Sequence, residues 1–272
     1  MRQPHPAAAP RAKKSLGQHF LKNPDICDRI AALLEATAQD NILEIGPGPG
    51  ALTRSLEALP HARLLLLEKD RYWAGERQRA AQPGTQAVLT DALRFAWARI
   101  TPAFPWKLAG NLPYNVASPL IWDCLSQATG CTRAVFMVQK EVGLRLAAAP
   151  GNGQYGALSV WVQSYAAPRL EFTLGPGAFN PPPKVDSAVL SFTPLSLASR
   201  PEHPQLLARL LRICFQQRRK QLGGIIRRSG EQSLVQALHE AEIDPGLRPE
   251  ALGVGQWQRL SALWAAQLDK QA

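Results

Sequence analysis

The 272-residue chain is short of the features that most often announce a function. Cysteine is scarce. Cys27, Cys124, Cys131 and Cys214 are scattered, with no C-x-x-C pair and no histidine at zinc-ligand spacing. Their dispersal predicts reduced core residues of a cytosolic protein, not a disulfide framework. His5, His19, His61, His203 and His239 show no ligand spacing either, so no metal site is expected. No Ser/His/Asp arrangement for acyl transfer is present. No apolar run approaches the length of a membrane span, and the first residues lack the apolar stretch of a secretory signal. A soluble cytoplasmic protein with no membrane partner is expected. No internal repeat is visible.

Acid is also short. Lys+Arg 31 against Asp+Glu 21 leaves a formal charge of +10. That balance favours a polyanionic partner such as nucleic acid. Its distribution says more than its size. Arg2, Arg11, Lys13, Lys14 and Lys22 precede the first acid of the chain. Arg209, Arg212, Arg218, Arg219, Lys220, Arg227 and Arg228 form a second cluster in a region of helical pattern. Either cluster is a nucleic-acid contact or a solvated charged face.

Hydrophobic residues make up 46% of the chain, enough for a proper core. Residues 1–14 are rich in Pro and Ala, basic and aperiodic, which predicts a disordered tail. Asn23-Pro24 reads as a helix cap with Pro at the first helical position. Short apolar runs then alternate with amphipathic stretches. Strands are predicted at Asn41–Ile45, Leu64–Leu67, Gln86–Thr90, Trp106–Ala109 and Ala134–Val138, with helices between them. This alternation predicts an α/β fold with a mainly parallel, doubly wound sheet. Arg169–Leu174 and Ser187–Thr193 predict an antiparallel end to it. The composition shifts between Pro194 and Pro204, and no strand pattern follows. Helices are expected over Leu206–Phe215, Gln232–Ala241 and Trp257–Leu268. The predicted division is therefore a tail at 1–14, an α/β domain at 15–195 and a small all-α domain at 196–272.

The predicted strand ends carry the candidate chemistry, because ligands in open α/β sheets bind at the carboxyl edge. Gly46-Pro47-Gly48-Pro49-Gly50 follows the first of these strands. It lacks the third glycine of the G-x-G-x-x-G fingerprint, and its prolines remove N–H donors that a phosphate would use. A ligand without phosphate is expected there. Glu68 ends the second strand, where it can accept from ribose hydroxyls, and Asp91 ends the third, where it can accept from an adenine amino group. Glu44 can help attract an ammonium group. Any one acid alone is equally an N-cap or a solvated turn, but the three in sequence suit S-adenosyl-L-methionine. The fourth strand leads into Asn111-Leu112-Pro113-Tyr114. Pro113 stops regular structure and predicts a rigid loop. The Asn111 side-chain carbonyl and the Leu112 backbone carbonyl can accept from an exocyclic amine, while Tyr114 stacks on its base. Phe179, before Asn180-Pro181-Pro182-Pro183, is either a second wall for that base or a core residue beside a rigid connector.

At this point the chain resembles a known family. Leu16-Gly17-Gln18-His19-Phe20-Leu21, Glu44 to Gly50, Asn111 to Asn115 and Gln139-Lys140-Glu141 are similar to motifs of the ribosomal RNA adenine dimethyltransferases. So are Tyr155-Gly156-x-Leu158-Ser159-Val160 and Phe215-x-Gln217-Arg218-Arg219-Lys220. The most specific string runs from Phe179 through Pro181-Pro182-Pro183-Lys184-Val185-Asp186-Ser187-Ala188 to Val189. The resemblance implies a Rossmann-like class I methyltransferase domain and a small helical domain. It implies transfer of methyl groups from S-adenosyl-L-methionine to N6 of two adjacent adenines near the 3′ end of 16S rRNA. The partner would be the small ribosomal subunit or its precursor, and the enzyme a monomer. It further implies a cofactor site of His19, Leu21, Gly46, Glu68, Asp91 and Asn111, and catalytic positions at Asn111, Leu112, Tyr114 and Phe179. RNA contacts are implied at Lys184, Arg218, Arg219 and Lys220. The chain departs from the family pattern at His19, where Asn is usual, at Ala157, and at Gly223-Gly224. A DNA adenine or protein-glutamine methyltransferase is a weaker reading, because Leu112 replaces the first Pro of their Asn-Pro-Pro-Tyr loops. A non-enzymatic ribosome-assembly factor of the same fold is a third.

Overall fold

The computed structural model describes residues 17–217 and 219–270. The expected basic tail, Leu16 and Arg218 lie outside the described residues. The apolar runs become strands β2 (Asn41–Ile45), β3 (Arg63–Glu68), β4 (Thr85–Leu89), β5 (Trp106–Asn111) and β6 (Cys131–Gln139). These lie parallel to one another in the order β4-β3-β2-β5-β6. Two further strands, β7 (Ala166–Leu174) and β9 (Ser187–Pro194), extend the sheet in the order β6-β9-β7. Both pairings of β9 are antiparallel, as the sequence pattern predicts. Chain order reverses between β2 and β5, so this sheet has a switch point there.

Most strands read as continuous apolar runs because the sheet is covered on both faces. Alternate side chains enter alternate cores. Leu43, Ile45, Leu108, Ala134, Phe136, Val138, Leu190 and Phe192 share one core. Ile42, Leu64, Leu66, Ala109, Val135, Met137 and Val189 share the other. The second core is capped by α1 (Pro24–Ala32) and α2 (Ala51–Glu57), through Cys27, Ile30, Leu52 and Leu56. Asn23 caps α1 by accepting from the Asp25 N–H at 2.9 Å, with Pro24 at the first helical position. The first core is covered by α4 (Ala117–Gln127) and α6 (Ala157–Gln163). The remaining sheet helices are α3 (Arg71–Arg79) and α5 (Lys140–Leu146).

Four helices close the chain: α7 (Pro204–Phe215), α8 (Leu222–Arg228), α9 (Gln232–Glu240) and α10 (Val254–Asp269). Their buried Leu207, Leu211, Leu234, Trp257 and Trp264 continue the first core without a break. Helix α8 has no clear sequence signal, because Gly223-Gly224 disfavours helix. A Cβ on Gly223 would lie 2.6 Å from the Pro245 side chain, so that glycine lets α8 pack close against the Pro245 loop.

A second, two-stranded sheet also went unsignalled. Here β1 (Phe20–Leu21) pairs antiparallel with β8 (Phe179–Asn180), tying the start of the described chain to the loop before β9. All four cysteines are free and buried. Among the described residues no helix is long and apolar enough to cross a membrane, and no cluster of His, Cys, Asp and Glu could hold a metal ion.

Candidate active site

A cleft opens at the carboxyl ends of β2, β3 and β5, beside the switch point. Its lining includes His19, Gly46, Gly48, Glu68, Asp91, Asn111, Leu112 and Tyr114. Most of the residues singled out from sequence therefore meet in one place.

The glycine turn forms the floor. Gly46 has φ +69, and a Cβ there would meet no protein atom within 4 Å, so the space above it is left for a ligand. Gly48 has φ +50, and a Cβ there would stand 2.8 Å from the Phe20 ring. All three glycine N–H groups are spoken for within the protein. Gly46 donates to the Leu67 carbonyl, Gly50 to the Pro47 carbonyl, and Gly48 to Glu68 Oε2 at 3.0 Å. The turn therefore offers none of these donors to a phosphate, and suits the phosphate-free ligand expected from the two prolines.

Glu68 ends β3 and is almost wholly buried. Its Oε2 accepts from Gly48 and its Oε1 from the Asp70 N–H at 2.7 Å. Burial raises its pKa, and these two N–H groups oppose that rise. The carboxyl is thus held rigidly at the cleft wall, with lone pairs left for ribose hydroxyls. Asp91 follows β4 and caps a short 3-10 turn, accepting from the Leu93 N–H at 3.1 Å. Lys69 Nζ lies 2.8 Å from its other oxygen, and that contact is the main reason its pKa is lowered. The N-cap role is real, and Asp91 still lines the cleft.

Glu44 does not face the cleft, contrary to the expectation of an ammonium-attracting group. It shares a sheet face with Ile42 and turns beneath α2, where Thr53 Oγ1 donates to it at 2.7 Å. It is 2% exposed, and burial pushes its pKa up to about 8.

Asn111 is the last residue of β5, not a residue of the loop beyond it. Its Nδ2 donates to the His19 carbonyl at 2.7 Å. An amide plane fixed in this way presents Oδ1 as an acceptor only. The Leu112 N–H donates to the Met137 carbonyl at 3.0 Å, which holds the Leu112 peptide in place. Tyr114 shares a 2.6 Å hydrogen bond with Ser187, a residue of the string from Phe179 to Val189 that had no expected role in the site. Burial raises the Tyr114 pKa, and the Ser187 hydrogen bond opposes that rise. The His19 ring stacks on Tyr114 with centroids 5.5 Å apart and planes 27° from parallel.

Two expected site residues keep their side chains out of the cleft. Leu21 and Phe179 face each other across the β1–β8 pair and are buried in the second core. Phe179 is 1% exposed and packs in the second core. Lys184 is exposed in the loop between β8 and β9. Arg219 and Lys220 are exposed in the turn between α7 and α8, and Arg212, Arg227 and Arg228 are exposed on the helices beside them. Arg209 departs from this cluster. It pairs with Glu231 and lies over the Trp264 ring at 5.1 Å, so it braces α7, α9 and α10.

A cleft at this switch point lies where open α/β sheets bind their ligands, and the matches to known proteins make the chain a Rossmann-like, S-adenosylmethionine-dependent class I methyltransferase. Residues 9–266 match the model of the family described as ribosomal RNA adenine dimethylase. A relative from Oleidesulfovibrio alaskensis, ribosomal RNA small subunit methyltransferase A, is 54% identical over 96% of this chain and 94% of its own. One of the same name from Nitratidesulfovibrio vulgaris is 57% identical over 89% of this chain and 92% of its own. Among solved structures, a dimethyladenosine transferase from Plasmodium falciparum matches with TM-score 0.79 and 25% identity, over 92% of this chain and 98% of that one. The chain belongs to the ribosomal RNA adenine dimethylase family.

Proposed function

We propose that this protein converts two adjacent adenines near the 3′ end of 16S rRNA to N6,N6-dimethyladenosines, late in assembly of the small ribosomal subunit. It would act as a cytoplasmic monomer. The observation that carries this reading is the Asn111 amide. Its Nδ2 donates to the His19 carbonyl, which fixes the amide plane, and Asn111 lines the cleft with Oδ1 as an acceptor.

The lone pair of an adenine amino group is delocalised into the ring, so the amine is a weak nucleophile. Asn111 Oδ1 and the Leu112 carbonyl accept from its two N–H bonds and localise that pair on N6. Tyr114 supplies a face for the base, worth about 1–3 kcal/mol in comparable contacts. Bound S-adenosylmethionine supplies a methyl on a sulfonium, a leaving group that needs no acid. The protein's part is then alignment and a fixed polar environment, with no strong base required. Gly46 leaves room on the donor side. Glu68 and Asp91 hold hydroxyl and amino groups there, and His19 borders it. The target base must leave its stack to reach the site. Lys184, Arg218, Arg219 and Lys220 meet RNA phosphates from the loop before β9 and from the helical domain at 196–272.

The test offers labelled S-adenosylmethionine with under-methylated small subunits, naked RNA, DNA or release-factor protein. Label is expected in the small-subunit RNA as dimethyladenosine. Incorporation only into DNA or protein would overturn the reading.

A further inference from the structure

We propose that the His19 imidazole is a positioning residue for the target adenine: it presets the Tyr114 ring from one face while Ser187 fixes that ring's hydroxyl. This rests on the reading of Tyr114 as the residue that stacks on the base.

Three contacts converge on this residue. Its ring stacks on Tyr114 at 5.5 Å. Its Nδ1 lies 2.8 Å from the Pro181 carbonyl, an acceptor, so the bond places the proton on Nδ1. Its backbone carbonyl accepts from Asn111 Nδ2. One residue thus touches both groups assigned to the adenine, and anchors them to the loop that follows β8.

The spacing decides how the ring acts. A base sandwiched between two rings needs them about 7 Å apart, two contact distances of roughly 3.5 Å. At 5.5 Å the imidazole and phenol rings already touch, so the adenine does not enter between them. His19 backs Tyr114 instead. Tyr114 is then held at two points, its face by His19 and its hydroxyl by Ser187 at 2.6 Å. A ring fixed before the base arrives loses less freedom on stacking.

Substitutions separate the stack from the hydrogen bond. His19→Asn retains a polar group for Pro181 and removes the ring. His19→Phe retains the ring and removes the polar group. Steady-state kinetics on under-methylated small subunits should show KM for the particle rising about two- to tenfold in His19→Ala and His19→Asn, the worth of an aromatic pair. His19→Phe should recover most of that loss. The melting temperature should stay close to that of the wild type in all three, which reports that they are folded. In a Tyr114→Leu background the His19 substitutions should add nothing further. A His19→Ala variant that weakens S-adenosylmethionine and leaves the particle KM unchanged would overturn the proposal, as would effects of His19 and Tyr114 that multiply. Wild-type protein that methylates no RNA adenine would instead overturn the function proposed above.

Discussion

Replacing Glu44 by Gln tests whether the first acid of the glycine motif serves the ligand or the fold. The side chain is 2% exposed and accepts from Thr53 Oγ1 under α2. Burial raises its pKa from the usual 4.5 to about 8. The sign follows from linkage. Below pH 4.5 the carboxyl is protonated in both folded and unfolded chains and has no effect on stability. Between 4.5 and 8 the unfolded chain ionises while the folded one keeps its proton, so stability falls as pH rises. Above 8 both are ionised and the loss is complete. The interval corresponds to at most about 5 kcal/mol, at 1.36 kcal/mol per pH unit. Glutamine keeps an acceptor for Thr53 and does not titrate. Urea unfolding of wild type and Glu44→Gln from pH 5 to 8.5 reads this group, since titrations not coupled to Glu44 cancel in the difference. The variant should gain several kcal/mol relative to wild type across that range. Its Kd for S-adenosylmethionine should change by no more than about twofold. Parallel stability curves would refute the buried neutral carboxyl, and a large loss of cofactor affinity would return Glu44 to the cleft.

Other substitutions probe the cleft and the RNA surface. Asn111→Ala should lower turnover by about 10²–10³, the worth of a preorganised polar contact to the reacting centre, while RNA binding by filter retention stays nearly intact. Full turnover in that variant would remove Asn111 from the mechanism. Gly48→Ala combines a left-handed φ with a 2.8 Å clash on Phe20 and should destabilise the protein by about 1–3 kcal/mol, with weaker cofactor binding. An unchanged melting temperature and Kd would contradict that packing. Arg219→Ala and Lys220→Ala should each weaken RNA binding and reduce the slope of log K against log salt by up to about 0.9. An unchanged slope would mark them as a solvated face.

The sheet was legible because parallel strands buried on both sides are compact apolar runs, as at Leu64–Leu67. The cleft was legible because glycine, acid and amide each stand where a strand ends. The direction of Glu44 is also implicit in strand parity: Leu43 and Ile45 enter one core, so the residue between them faces the other. Helix α8 was hidden by two glycines, of which Gly223 serves close packing against Pro245, and no local propensity encodes that contact. The β1–β8 pair was hidden because two residues make no period. Phe179 could not be assigned for the same reason. Its burial depends on Leu21, a neighbour across a strand pair far away in the chain.

That strand pair also bears on how the protein is made. His19 meets the Pro181 carbonyl across 162 positions of sequence. At about 5–20 residues per second, synthesis separates the two by about 8–32 s. Strands β2 to β6 emerge in that interval and pair with strands already present or soon to follow. The segment that supplies the carbonyl for Asn111 has no strand partner until β8 leaves the ribosome. The nascent chain therefore carries its glycine turn and acids before its amide is locked. The amide is locked only when an early segment of the chain meets one made 162 positions later.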